Sequence, residues 1–143
     1  MKKLILIGET GCGKTTLSQY LHNQEQNYHK TQQVHFNDST IDTPGEFMEN
    51  PFYYNALVSV AVKAEAVAFV QSIKGAQNYF PPYFATRFPK KAIGIITKMD
   101  LLENEQERLQ AYKYLKLAGI KTIFEISTLE NIGLKELEEF LLS

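Results

Sequence analysis

Near its start the chain reads Leu4-Ile5-Leu6-Ile7 and then Gly8-Glu9-Thr10-Gly11-Cys12-Gly13-Lys14-Thr15, a match to G-x-x-x-x-G-K-[ST] at every fixed position. The apolar run suits a buried strand, and the stretch from Thr16 to Leu21 suits a helix. A strand that enters a glycine turn and leaves it as a helix permits few folds, and this one is the phosphate cradle of the P-loop α/β class. Gly8, Gly11 and Gly13 let the backbone bend so that its N–H groups converge on an anion. Lys14 adds a full positive charge for the outer phosphates. The Thr15 hydroxyl suits Mg²⁺, and the dipole of the helix beginning here favours the same anion. The whole loop from Gly8 to Thr15, with Glu9, Thr10 and the following Thr16, is therefore expected to hold a polyphosphate. Cys12 lies between two of the glycines and is read as a filler, not as a catalytic thiol.

The 143 residues suit one domain, 1–143, and 44% of them are hydrophobic, enough for a packed core. The net charge is −1 and there is no basic run, which argues against nucleic acid and against an anionic membrane as partners. Lys2 and Lys3 precede an apolar run, but it stops at Gly8, too short for a signal peptide or a membrane span. A single cysteine excludes an internal disulfide and suits a cytoplasmic setting. The histidines, His22, His29 and His35, show no metal-ligand spacing and are expected on the solvated surface.

Strand-like segments fall at 2–7, 33–36, 39–42, 66–71, 91–97 and 121–126, and helix-like segments at 14–23, 51–63, 82–87, 103–118 and 132–142. The runs at 66–71 and 92–97 are apolar throughout, as in parallel strands covered on both faces. The alternation predicts a three-layer α/β sandwich of the Ras-like P-loop type around a mostly parallel sheet of roughly six strands. In the helix at 103–118, spacing by three places Leu109, Tyr112, Leu115 and Ala118 together, and Gly119 is placed to end it. The last helix is expected to bury Leu134, Leu137, Phe140 and Leu141, with Asn131 as its cap.

Three further motifs follow the phosphate loop in order. Asp42-Thr43-Pro44-Gly45 is D-x-x-G after a short β-run. Its Asp42 can hold Mg²⁺ and its Gly45 N–H can reach the outermost phosphate, so that the loop is released on hydrolysis. Upstream, Thr31 is the candidate for a second Mg²⁺ hydroxyl. Thr97-Lys98-Met99-Asp100 matches [NT]-K-x-D. A carboxylate at Asp100 can accept from the ring N–H and the exocyclic amine of guanine, a donor pair that adenine lacks. The Lys98 stem can lie over the base. Thr97 stands where Asn is commoner, which is expected to weaken the ties between this loop and the phosphate loop. In the last loop, Ser127 is expected to brace Asp100, with Thr128 beside the base.

With these motifs in order the chain resembles a small Ras-like GTPase. Lys30-Thr31-Gln32, Phe36-Asn37-Asp38, Ile41 to Phe47 and Tyr54-Asn55-Ala56-Leu57 narrow the resemblance to the EutP/PduV family, along essentially the whole chain. The short reach from Thr31 to Asp42 leaves a stunted hairpin, an economy that marks this family too. The resemblance implies a role in bacterial ethanolamine or propanediol utilisation, with association with a microcompartment, its shell or pathway enzymes.

The residues themselves predict slow chemistry. Lys14, Gly45 and Glu46 are the candidates for acting on the outermost phosphate. Glu46 stands where many Ras-like proteins carry a water-orienting glutamine, and its charge opposes the charge that develops there. Neither switch contains an arginine, so hydrolysis is expected to be well below about one turnover per second unless a GAP-like partner supplies the missing group. A slow switch using GTP/GDP and Mg²⁺ is the expected function. The alternatives are an ATP-dependent phosphotransferase of the small-carboxylate kinase type and a non-hydrolysing, nucleotide-stabilised interaction module. The aromatic residues at 79–84 with Phe88, and Phe47, Phe52, Tyr53 and Tyr54, are candidates either for docking or for packing.

Overall fold

The computed structural model describes residues 1–30 and 40–143, with the backbone alone over 25–30. Strand β1 (Leu4–Ile7) runs into the glycine turn and on to helix α1 (Lys14–Lys30). After β2 (Thr40–Asp42) come a single helical turn, α2 (Glu46–Glu49), and α3 (Tyr54–Ala61). Then follow β3 (Ala66–Ser72), β4 (Lys91–Thr97), α4 (Glu105–Leu117), β5 (Ile123–Glu125) and α5 (Leu134–Leu142).

Five parallel strands form one sheet in the order β2-β1-β3-β4-β5. The described sheet thus has five strands where roughly six were expected; the segment at 33–36, like Thr31, His29 and His35, lies outside the described residues and side chains. Strand order reverses on either side of β1, which leaves a crevice at the carboxyl ends of the strands, where open α/β sheets take their ligands.

Both faces of the sheet are covered. Leu4, Leu6, Ala66, Ala68, Val70, Ile93 and Ile95 face Leu17 and Leu21 of α1 and Leu134, Leu137 and Leu141 of α5. The alternate residues Ile5, Ile7, Val67, Phe69 and Ile96 face Met48, Leu57, Ala61, Ala111 and Leu115. This period of two is the strand pleat, and it explains why the apolar runs are unbroken. Each fully buried Leu or Ile contributes about 1.5–3 kcal/mol. The aromatic run at 79–88 is core: Phe80, Phe84 and Phe88 are buried around Phe69, and Tyr83 alone of that group points out at 70% exposure.

Two local expectations need correction. Leu109 is exposed, and α4 instead buries Ala111, Leu115 and Ala118. At 3.6 residues per turn a row spaced strictly by three slides around the helix, whereas alternating steps of four and three stay on one face. Asn131 does not cap α5. The backbone of Ser127 and Ile132 pairs in both directions, which folds Asn131 into a tight turn at φ 55°, and Gly133 takes the cap position. The end of α4 is as expected, with Gly119 at φ +97° just beyond it, and its start carries a reciprocal capping box of Asn104 and Glu107 that was not among the expectations.

Candidate functional site

The register decides where the motifs meet. Ile7 pairs with Phe69, Leu6 with Asp42, and Ser72 with Thr97. The loops that follow β1, β2 and β4 therefore emerge at one edge of the sheet, beside the reversal point.

In the glycine loop, Gly11 and Gly13 hold φ +82° and +100°, conformations strained for any other residue. Gly8 serves differently: a Cβ there would lie 2.5 Å from the Val70 carbonyl oxygen and 2.7 Å from Cys12 Sγ, so it is required for space. Lys14 is only 5% exposed. Its ammonium donates to the carbonyls of Gly8 at 2.8 Å and Glu9 at 3.0 Å and lies 3.7 Å from Cys12 Sγ. Burial pushes the Cys12 thiol up, outweighing the Lys14 charge, so it stays protonated, in keeping with a filler role.

At the end of β2, Asp42 Oδ2 accepts from Thr15 Oγ1 at 2.7 Å. The next residue, Thr43, is buried and donates to the Leu6 carbonyl at 2.7 Å, which pins the D-x-x-G loop to β1. Gly45 lies so close to Thr10 that a Cβ would run into the Thr10 amide nitrogen and hydroxyl. From α2, Glu49 Oε2 accepts from Thr10 N at 2.7 Å. That bond holds the Glu49 carboxyl below the usual carboxylate range, while burial and then the Glu49 charge raise Glu9. Glu46 is exposed. A polar cleft of about 300 Å³ beside Asp42 is lined by Thr15, Ser18, Gln19, His22 and Thr40, so His22 is half-buried in a cleft and not on the open surface as expected.

The loop after β4 is tied to the glycine loop twice. Thr97 Oγ1 donates to the Cys12 carbonyl at 2.5 Å, and Lys98 Nζ to the Gly11 carbonyl at 2.7 Å. Thr97 thus ties this loop to the glycine loop through its hydroxyl. Lys98 itself holds φ 61°, a left-handed conformation uncommon outside glycine and concentrated at functional sites. Ser127, buried, donates to Asp100 Oδ1 at 2.7 Å, the expected brace. Between these loops lies a cavity of about 280 Å³ lined by Gly13, Thr16, Leu17, Thr97, Lys98, Asp100, Leu101, Ile126, Thr128 and Leu129.

The structure thus brings the sequence-selected residues of these loops to one end of the sheet, with Glu46 exposed directly after Gly45, while Thr31 lies outside the described residues. Glu49 and the cavity's apolar walls were missed. Leu101 and Leu129 directly follow motif residues and are 47% and 80% exposed beside the cavity, which only the structure reveals. The hydroxyl of Thr15 beside the carboxylate of Asp42 is a pair of hard oxygen donors of the kind Mg²⁺ takes alongside water and phosphate. No group of three His, Cys, Asp or Glu suited to a metal occurs among the described residues, and none of their helices is long and apolar enough to cross a membrane.

Comparison with known proteins agrees with this architecture. Translation elongation factor SelB from Methanococcus maripaludis, in its apo form, superposes with a TM-score of 0.70 at 20% identity, over 99% of this chain and 34% of that one. The chain therefore has the α/β fold of P-loop GTPases, as expected. Propanediol utilization protein PduV of Citrobacter freundii is 38% identical over 141 residues, 99% of this chain and 93% of that protein. A protein of Escherichia coli K12 that bears the name "Probable acetate kinase EutP" is 29% identical over 146 residues, 100% of this chain and 91% of that one. The family model described as "Ethanolamine utilisation - propanediol utilisation" matches residues 1–143, and the chain belongs to that PduV-EutP family.

Proposed function

We propose that this chain is a GTP-binding switch with slow hydrolysis, working in ethanolamine or propanediol utilisation. One observation carries the reading: the glycine loop and the Thr97-Lys98-Met99-Asp100 loop converge on one cavity and are bonded to each other through Thr97 and Lys98. Phosphate-binding and base-reading chemistry then sit at a fixed separation. The loop amides and Lys14 take the phosphates, with Lys14 leaving its bonds to Gly8 and Glu9 to do so. Asp100, held by Ser127, accepts from guanine, and the ring lies between the Lys98 stem and the apolar walls that Leu101 and Leu129 supply. Thr15 and Asp42, with Thr31, would hold Mg²⁺, whose charge offsets that of the triphosphate. Gly45 faces the outermost phosphate. Glu46 brings a negative charge where hydrolysis develops one, so turnover is slow until a partner supplies a cation. The proposed target is a microcompartment shell or a pathway enzyme, in keeping with the pathways that the family description names.

The test is calorimetric binding of GTP, ATP and XTP to the wild type and to Asp100→Asn. The wild type is expected to favour GTP, and the variant to lose about 100-fold in GTP affinity and turn to XTP, whose 2-oxo group needs a donor. Equal or better ATP binding by the wild type would sink the reading.

A second reading has a specific observation in its favour, the acetate kinase name borne by the Escherichia coli relative. It makes the chain an ATP-dependent phosphotransferase to a small carboxylate. ADP release from ATP that rises with added acetate or propionate would establish it.

A further inference from the structure

In this structure two donors of the glycine loop, the Lys14 ammonium and the Thr10 amide, are held by acceptors from within the chain. Lys14 is turned back onto the Gly8 and Glu9 carbonyls, and the amide of Thr10 is held by the carboxylate of Glu49, thirty-nine positions further along, at 2.7 Å. Glu49 is unlike the other partners. It brings a negative charge to an N–H of a loop built to receive negative charge, as a phosphate oxygen would. Its reach is not accidental, because α2 is seated on the loop: Gly45 packs against Thr10 too closely to admit a side chain, and the amides of Met48 and Glu49 both bond back to the Gly45 carbonyl. Thr10 is thus the loop residue that faces the D-x-x-G segment, on the side expected for the outermost phosphate.

We infer that Glu49 is an internal competitor for the outermost phosphate, so that arrival of a triphosphate expels its carboxylate from Thr10 and swings the Glu49 end of α2 away from the loop while Gly45 stays in place. The inference rests on the nucleotide reading above and names how that site is regulated. A phosphate oxygen and the Glu49 carboxylate cannot share one N–H, and their charges repel at contact distance; the Glu9 carboxylate nearby adds to the repulsion. A diphosphate ends short of Thr10 and leaves the Glu49 bond intact. Movement of α2 carries Phe47, whose ring is stacked on Tyr53 at 4.6 Å, and so disturbs Phe52, which packs edge-on against Tyr53 and is 82% exposed. The state of the nucleotide is thereby written into an exposed aromatic surface by electrostatic push.

The experiment measures affinities for GDP and for the imido analogues of GTP and ATP, each with Mg²⁺, in the wild type, Glu49→Ala and Glu49→Gln. Circular dichroism checks that each chain is folded. Removing the competitor is expected to raise triphosphate affinity about 3- to 10-fold, with GDP affinity changed less than about 2-fold. Phe52→Trp provides a second readout in a chain that otherwise has no tryptophan. Its emission should shift with triphosphate and not with GDP, and in a Glu49→Ala background the shift should be largely present before nucleotide is added. An unchanged or lower ratio of triphosphate to diphosphate affinity in both variants, with normal binding by the wild type, overturns the inference and leaves the nucleotide reading standing. Absence of all nucleotide binding in the folded wild type and in both variants overturns the two together. Binding that appears only when Glu49 is replaced supports the inference.

Discussion

Lys14 is the residue whose two possible sets of partners define the site. Its ammonium is buried and bonded to carbonyls of its own loop, so a ligand must offer it more than those carbonyls do. A triphosphate does, because a charge-assisted bond is roughly twice as strong as one to a neutral acceptor. Replacing Lys14 with Ala is expected to lower triphosphate affinity by about 100-fold or more, measured by calorimetry. The Gly8 and Glu9 carbonyls would lose a partner in the same change, at a cost of about 1–3 kcal/mol in denaturant unfolding, and the fold should survive. Unaltered affinity in a folded Lys14→Ala chain would show that the glycine loop does not grip phosphate. Thr97 makes the complementary point. Its hydroxyl bonds the Cys12 carbonyl and so ties the two loops, a contact that residue identity alone does not reveal.

Among the elements, α4 carries a cap built from residues close together in the chain. Asn104 accepts from the Glu107 amide at 3.1 Å, and the Glu107 carboxylate returns the contact to the Asn104 backbone. The same carboxylate pairs with Lys74 at 2.6 Å, which ties the helix start to the loop after β3. Asn104→Ala should cost about 1 kcal/mol, read as a shift in denaturant midpoint with unchanged slope. A loss below measurement error would mean that the Lys74 pair alone holds the helix end. The contrasting case is α5, where the cap expected at Asn131 does not form. The bridge between Ser127 and Ile132 reshapes the residues before the helix, and such pairing is tertiary in origin.

At the scale of the whole molecule, the far edge of the sheet bears a charged network whose effect is open to pH. Tyr112 donates to Glu125 Oε2 at 2.5 Å, and Arg108 holds the other oxygen of the same carboxylate at 3.2 Å. Burial first, and then Glu125, push the Tyr112 phenol up to about 12 from its ordinary value near 10. A phenol that keeps its proton more tightly in the folded chain adds stability that is complete below pH 10 and is lost as pH rises through about 12. The melting temperature of the wild type should therefore fall more steeply over that interval than that of Tyr112→Phe. Parallel curves would mean that the contact contributes nothing to the titration.

The fold was legible because its signals are local and strong: unbroken apolar runs for strands buried on both faces, a glycine turn between strand and helix, and Gly119 where a helix must stop. The motif residues were legible for the same reason, since Lys14, Asp42 and Asp100 each lie in a short pattern of fixed spacing. Glu49 had no pattern to announce it, and Leu101 and Leu129 look in sequence like core. Their places depend on which loops the strand register brings to one edge and on how α2 seats against Thr10. The sequence by itself determined the kind of sheet and the functional groups carried by each loop, because those follow from periodicity and side-chain type within a few residues. The tertiary structure alone decided which charges face one another across the loops, because contacts between residues dozens of positions apart are set by packing and register, and neither is written in any short stretch of chain.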